Sequence, residues 1–90
     1  MLAPFSETAT DLPRGVYQHY KGNQYEVLGV GRHSETHEEM VIYRALYGSH
    51  DLWIRPLSLF VNEVTWEGKT MPRFALVLSK DNADYCCHTE

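Results

Sequence analysis

Short runs of β-branched and aromatic residues, each closed by a turn signal, recur along the middle of the chain. The clearest run covers residues 40–47, where bulky side chains fill both alternating faces before the turn signal at residues 48–51. Such residues favour extended backbone, and a period of two sends neighbouring side chains to opposite faces of a sheet. The chain is therefore predicted to be mainly β, with five or six antiparallel strands around this central one.

Further strands are predicted on both sides of the central strand. They are a hairpin over residues 15–32 with its turn at residues 21–23, a strand over 52–55, a short helical turn over 56–60, and strands over 61–66 and 73–78. Pro56 is expected to end its strand because proline has no N–H to donate to a ladder. Residues 1–13 and 79–90 show no sustained period and are predicted to be flexible tails, which leaves residues 14–78 as one domain.

The sheet is expected to close on itself, because a flat sheet of this size would expose its edges and one apolar face. A single sheet of short strands would leave two open edges and one uncovered face, and rolling it into a small barrel hides both. Gly29 and Gly31 alternate within one predicted strand, where glycine allows a sharp bend. A small β-barrel is predicted, with an open α+β meander as the alternative.

The charge balance limits the classes of partner. The formal net charge is −4 over 90 residues, which opposes indiscriminate attraction to phosphate backbones or anionic lipid. No apolar run approaches the roughly 20 residues that span a bilayer, and the first residues lack the regions of a signal peptide. Cys86 and Cys87 are adjacent, too close for a relaxed disulfide, and are expected to be free thiols. A cytoplasmic location is expected, with no membrane partner, no DNA partner and no cofactor.

Several ordered motifs carry a family resemblance. They are Gly15-Val16-Tyr17-Gln18-His19-Tyr20-Lys21-Gly22-Asn23, Tyr25-Glu26-Val27-Leu28-Gly29-Val30, Arg32-His33-Ser34-Glu35-Thr36, Tyr43-Arg44-Ala45-Leu46-Tyr47-Gly48 and Trp53-Ile54-Arg55-Pro56-Leu57-Ser58. Together they resemble the bacterial domain of unknown function 1653 family, from Arg14 to about Phe74. The resemblance implies an SH3-type β-barrel, so the predicted fold is a small SH3-like β-barrel. It implies no activity and no site residues.

Metal binding and catalysis have weak candidates. His33 and His37 lie in a polar loop with Glu35, Glu38 and Glu39, and imidazole and carboxylate are ligands that zinc or nickel takes. The loop connects strands and contains no cysteine, so a solvated acidic loop is the favoured interpretation.

Two sets of residues raise the question of catalysis. His19 with Glu26, or His50 with Asp51, has the composition of an acid–base pair. Such pairs are more often surface hydrogen bonds, and the serines and cysteines stand in no nucleophile motif. A noncatalytic protein is therefore favoured over an enzyme.

Aromatic and arginine residues form the strongest candidate set for binding. Tyr, Trp and Arg dominate interface hot spots, although many of these rings are expected to form the core. The candidate binding residues are His19, Arg32, Tyr43, Arg44, Tyr47, Trp53 and Arg55, with Tyr43 or Tyr47 favoured as an exposed ring. The predicted function is a noncatalytic interaction module for a protein or peptide. The alternatives are an RNA-associated barrel, which the acidic charge disfavours, and a small metal-binding or enzymatic protein using the loop of His33 and His37.

Overall fold

The computed structural model describes residues 4–79 and shows a mainly β domain, as predicted, with seven strands in this range instead of the five or six expected. The elements are α1 Glu7–Asp11, β1 Gly15–His19, β2 Gln24–Arg32, β3 Glu39–Ala45, β4 Leu52–Pro56, α2 Leu57–Phe60, β5 Glu63–Trp66, β6 Lys69–Pro72 and β7 Phe74–Ser79. Every strand pair is antiparallel. The short helical turn after Pro56 is present as α2, and Pro56 is the last residue of β4.

Pairing of these strands gives two sheets and does not close a barrel within residues 4–79. The larger sheet has the strand order β4-β3-β2-β1-β7, and β5 pairs with β6 in a separate hairpin. The predicted closure is absent there because β5 and β6 pair with each other instead of joining β4 to β7. The larger sheet bends through register shifts, one of them between Val27 and Gly29 in β2. A shift of this kind adds local twist, and it falls at one of the glycines predicted to mark a bend.

The core lies on one face of the larger sheet and is built mainly from aromatic rings. Its buried residues are Ala9, Tyr17, Val27, Val41, Tyr43, Leu57, Phe60 and Phe74. Phe60 of α2 stacks on Phe74 of β7 with 4.2 Å between ring centroids and 6° between planes. Burial raises the pKa of Tyr17 to about 12, and its hydroxyl donates to the Pro13 carbonyl at 2.6 Å. Its polar end is thus satisfied inside an apolar core.

The segment predicted to be a flexible lead-in contains α1. Ser6 caps this helix, since its Oγ accepts from the Ala9 N–H at 3.1 Å. The Glu39 carboxylate of β3 accepts from the Ser6 N–H at 2.7 Å and from the Ser6 hydroxyl at 2.8 Å. Ala9 is only 7% exposed, and Leu12 packs against the core. One turn of helix is unstable alone, so its order depends on these tertiary contacts.

The predicted C-terminal tail falls almost wholly outside the described residues. Ser79 ends β7, and Cys86 and Cys87 lie beyond the described range. Among residues 4–79, no helix has the length and apolar character needed to cross a membrane.

Replacing Glu39 tests the attachment of α1. Hydrogen bonds from Ser6 lower the pKa of Glu39, with a smaller contribution from Arg32. Its stabilising contribution is therefore present above the ordinary glutamate pKa and is lost as the pH falls through the lowered folded value. We expect Glu39→Gln to speed amide hydrogen exchange at Ala9 and Thr10 near neutral pH, measured by NMR. Glu38→Gln is the control, and equal exchange in both variants would contradict this attachment.

Candidate functional site

Aromatic rings and arginines lie at the solvent-exposed margin of the core, on the same face of the larger sheet as the core residues. Directly paired residues lie on the same face of a sheet, and the register pairs His19 with Phe74 and Tyr43 with Trp53. The surface above these pairs is called the aromatic–arginine face. Its members are His19, Tyr20, Tyr25, Tyr47, Trp53, Arg55, Trp66 and Arg73.

Edge-to-face ring contacts hold much of this face in place. The His19 ring lies 4.9 Å from the Phe74 ring, and Tyr20 lies 5.6 Å from Trp66, measured between centroids. The hydroxyls of Tyr25 and Tyr47 share a hydrogen bond of 2.7 Å. Burial, followed by this hydrogen bond, raises the pKa of Tyr25 to about 12, so its phenol stays neutral at physiological pH. The rings are therefore oriented before any partner arrives.

Positive charge is concentrated around His19. Arg55 Nε donates to the Tyr43 hydroxyl at 3.3 Å, and the Arg55 guanidinium carbon lies 5.7 Å from the Phe74 ring centroid. Arg73 Nε donates to Asn62 Oδ1 at 2.9 Å. Burial lowers the pKa of His19, and the charges of Arg73, Arg55 and Lys21 lower it further.

These arginines have neutral neighbours. Within residues 4–79, neither Arg55 nor Arg73 pairs with a carboxylate, although the chain as a whole carries a net charge of −4. The face therefore combines uncompensated positive charge with aromatic surface, an arrangement that attracts an anionic group.

Strand β4, at one edge of the larger sheet, borders this face. Within residues 4–79, β4 pairs only with β3, and the Ala45 N–H donates to the Asp51 carbonyl at 3.0 Å. Bonded and non-bonded pairs alternate along an antiparallel ladder, so the backbone N–H and C=O groups of Leu52 and Ile54 point away from β3. Leu52, Trp53 and Ile54 are 58%, 49% and 64% exposed. An apolar run with free backbone groups on an open edge is a template for another strand.

Four of the candidate binding residues, His19, Tyr47, Trp53 and Arg55, meet on the aromatic–arginine face. Tyr43 corrects the expectation of an exposed ring, because it is 4% exposed and its ring lies in the core. Its hydroxyl nevertheless bonds Arg55 from below the face.

Two arginines predicted for the site lie elsewhere. Arg44 pairs with Leu52 and Glu26 on the opposite face of the sheet. Arg32 pairs with Glu39 at the far end of β2, and its guanidinium carbon lies 4.3 Å from the Phe5 ring centroid. The register places Arg44 on the face opposite to Arg55, whereas Arg32 shares the face of Arg55 but lies at the far end of β2. Composition alone gave no signal for either position.

Four members of the face, Tyr20, Tyr25, Trp66 and Arg73, were not among the candidate binding residues. Tyr20 and Trp66 come together because the β5–β6 hairpin lies beside the end of β1, where Tyr20 N–H donates to the Arg73 carbonyl at 3.0 Å. Residue type was the only sequence signal for these four residues, since local sequence pattern does not predict contacts between distant turns.

The two histidines considered for metal binding, His33 and His37, make hydrogen bonds within their own loop. His33 Nδ1 accepts from the Glu35 N–H at 3.1 Å and from the Thr36 N–H at 3.3 Å. His37 has a φ of 66° and donates its N–H to the His33 carbonyl at 2.8 Å. No group of three or more His, Cys, Asp or Glu side chains within residues 4–79 is arranged to hold a metal ion.

The proposed acid–base pairs also have defined positions. His19 lies on the aromatic–arginine face, whereas Glu26 pairs with Val16 and Arg44 on the opposite face. Their side chains are therefore separated by the sheet. His50 occupies a turn with a φ of 58°, where its N–H donates to the Tyr47 carbonyl at 3.0 Å.

The fold and this face define a small mainly β domain with one exposed aromatic and cationic surface. The family model described as "Protein of unknown function (DUF1653)" matches residues 15–76. A crystal structure of a protein belonging to DUF1653 from Bordetella bronchiseptica is 38% identical and has a TM-score of 0.72, covering 77% of this chain and 91% of that chain. No curated protein matches. The chain belongs to the DUF1653 family, which confirms the resemblance seen in its motifs.

The environment of His19 predicts a dependence of stability on pH. Because its pKa is lowered in the folded state, the unfolded chain binds a proton more readily once the pH drops below about 6.5, the ordinary histidine value. We expect the melting temperature to fall between pH 7.5 and pH 5, and to fall less in His19→Gln. His50→Gln, in the exposed turn, should behave like the native chain. An equal fall in all three proteins would contradict this role of His19.

Trp53 and Phe60 provide a test of which rings are structural. Trp53 is half-exposed, whereas Phe60 is 1% exposed in the stacked core. Truncating a buried ring costs about 3–5 kcal/mol, and we expect Phe60→Ala to lose that much stability in denaturant unfolding. Trp53→Ala should lose less than about half as much. Comparable losses would show that Trp53 is a core residue and is unavailable to a partner.

Proposed function

We propose that this protein is a noncatalytic peptide-binding module. An extended peptide segment pairs with the open edge of β4 and contacts the aromatic–arginine face with alternate side chains. The observation that carries this proposal is the exposed apolar run Leu52-Trp53-Ile54 on a strand that, in the described part of the chain, pairs on one side only. Soluble proteins usually protect such an edge with charges, proline, bulges or a covering element; on β4 only Arg55 and Pro56 at its end have this character, so the exposed run before them is the part that suits a partner strand.

Strand addition fits the chemistry of β4. The backbone groups of Leu52 and Ile54 that point outward provide two donors and two acceptors, and main-chain bonds of this kind supply affinity with little sequence preference. Pro56 closes the strand at an outward-facing position in the same alternation, so its missing N–H costs no bond to β3. The ladder that holds β4 in the domain and the edge that receives a peptide are therefore separate sets of groups.

Sequence preference comes from the neighbouring face. Trp53 and Arg55 point toward that face, while Leu52 and Ile54 point to the other side, so a bound strand meets aromatic and cationic groups on one side only. Tyr, Trp and Arg give large contact areas at low conformational cost, particularly where ring contacts already fix them. The proposal includes an SH3-like architecture, which the bent sheet and the one-turn α2 support, and a cytoplasmic location.

A display experiment with matched edge variants tests the proposal. A random decapeptide library displayed on phage is panned against the immobilised full chain, and enriched peptides are titrated into the labelled protein by NMR. We expect shifts at residues 52–56 and slowed amide exchange at Leu52 and Ile54. Both Ile54→Pro and Ile54→Ala remove most of the isoleucine side chain. Proline also removes the outward backbone N–H, whereas alanine keeps that N–H. Binding should be lost in Ile54→Pro and largely retained in Ile54→Ala.

Both variants must first keep the native fold, checked by circular dichroism and by their NMR spectra. The ladder between β3 and β4 does not use the Ile54 N–H, so proline is expected to be tolerated at this edge position. Equal affinity of the two variants, or enriched peptides that shift only the opposite face around Arg44, would contradict strand addition.

A further inference from the structure

We infer that the bound peptide carries a carboxylate, which is held by Arg55 and Arg73 above the ring of His19. This inference rests on the proposed function and names the chemistry that its site selects. Asp, Glu or a free C-terminus would supply the group. The partner is thus an extended segment with apolar residues along β4 and one acidic group facing the arginines.

Unused donor capacity is the first support. A guanidinium has five N–H donors in a planar fork, suited to two parallel bonds with a carboxylate. In the described part of the chain, the side-chain hydrogen bonds of Arg55 and Arg73 each use Nε alone, to the neutral oxygens of Tyr43 and Asn62. These bonds position each side chain and leave its terminal nitrogens able to donate to a ligand.

Charge complementarity is the second support. The charged groups that lower the pKa of His19 are all cationic: Arg73 beside β7, Arg55 on β4 and Lys21 in the turn after β1. The other groups packed against its ring are Tyr20, Tyr25 and Phe74, which are neutral. An anion placed here relieves repulsion between like charges and favours protonated His19. His19 should therefore report carboxylate binding through a raised pKa.

The surroundings favour a single carboxylate over a nucleic-acid backbone. A polyanion is repelled at long range by a chain with a net charge of −4, whereas one carboxylate meets only the local cluster. The apolar side chains of Leu52 and Ile54, exposed on the other side of the same edge strand, also suit the alternate side chains of a peptide better than a ribose–phosphate chain. An RNA strand that binds here is therefore an outcome that would overturn the inference.

A pair of probes that differ in one charge tests the inference. N-acetyl-L-tyrosine and N-acetyl-L-tyrosinamide have the same ring and acetyl group, but only the first has a carboxylate. Each is titrated to millimolar concentration while NMR follows the arginine Nε–H signals and the His19 imidazole. We expect the carboxylate to shift Arg55 and Arg73 and to raise the pKa of His19, and the amide to bind at least about tenfold more weakly.

Matched arginine variants locate the effect. Arg73→Gln and Arg55→Gln should each weaken binding of N-acetyl-L-tyrosine several-fold, while Arg44→Gln, on the opposite face, should leave it unchanged. Two separate arginine variants are used because Arg55 also contacts Tyr43 and Phe74, so Arg55→Gln alone could weaken binding by disturbing the fold. Equal binding of the two probes, or equal effects of all three variants, would overturn the inference. So would a hexauridylate that shifts the same signals at lower concentration than the carboxylate.

Failure of this inference is distinguishable from failure of the proposed function. If displayed peptides pair with β4 and keep their affinity after Asp and Glu are replaced by Asn and Gln, the carboxylate site is excluded and strand addition stands. If N-acetyl-L-tyrosine binds at Arg55 and Arg73 while no peptide protects the β4 amides, the anion site stands and the peptide-binding function fails.

Discussion

The stacked rings of Phe60 and Phe74 join parts of the chain that no backbone ladder connects. Phe60 belongs to the turn of helix after β4, at one end of the larger sheet, and Phe74 begins β7 at the other end. Tyr17 and Tyr43 meet Phe60 edge-on from the strands between them. Because an open sheet has no hydrogen bonds to close it, burial of these rings is what holds its two ends around one core.

The same aromatic core supports the exposed face. Phe74 contacts the rings of His19 and Tyr25, and its own face receives Arg55, so core and surface share side chains. A face fixed in this way loses little conformational freedom on binding. The open edge of β4 exists for a related reason, since β5 and β6 pair with each other and leave β4 with one neighbour among residues 4–79. One packing arrangement thus produces a rigid aromatic surface, uncompensated arginines and a free strand edge side by side.

Local pattern predicted most strands because their residue types and turn signals agree, as in β2, whose bounds match the predicted run to Arg32. It did not predict α1, whose order comes from the distant carboxylate of Glu39 and from burial of Ala9. Of the site, the pattern selected the right residue types but not their exposure. Tyr43 is buried because Phe60 and Phe74 pack against its ring, and Arg44 lies on the face opposite to Arg55. Both outcomes depend on contacts between residues distant in the chain. Local pattern could not predict whether the sheet closes either. Closure depends on whether β5 and β6 pair with the edge strands of the larger sheet or with each other, and they pair with each other.

The structure of a complex tests the central claim most directly. A crystal structure of this protein with a peptide selected by display would show where the peptide main chain lies and which group meets the arginines. We expect an added strand bonded to the backbone of Leu52 and Ile54, with a carboxylate oxygen about 2.7–2.9 Å from a terminal nitrogen of Arg55 or Arg73. A peptide bound on the face of Arg44, or against α1 with β4 still unpaired, would contradict the account.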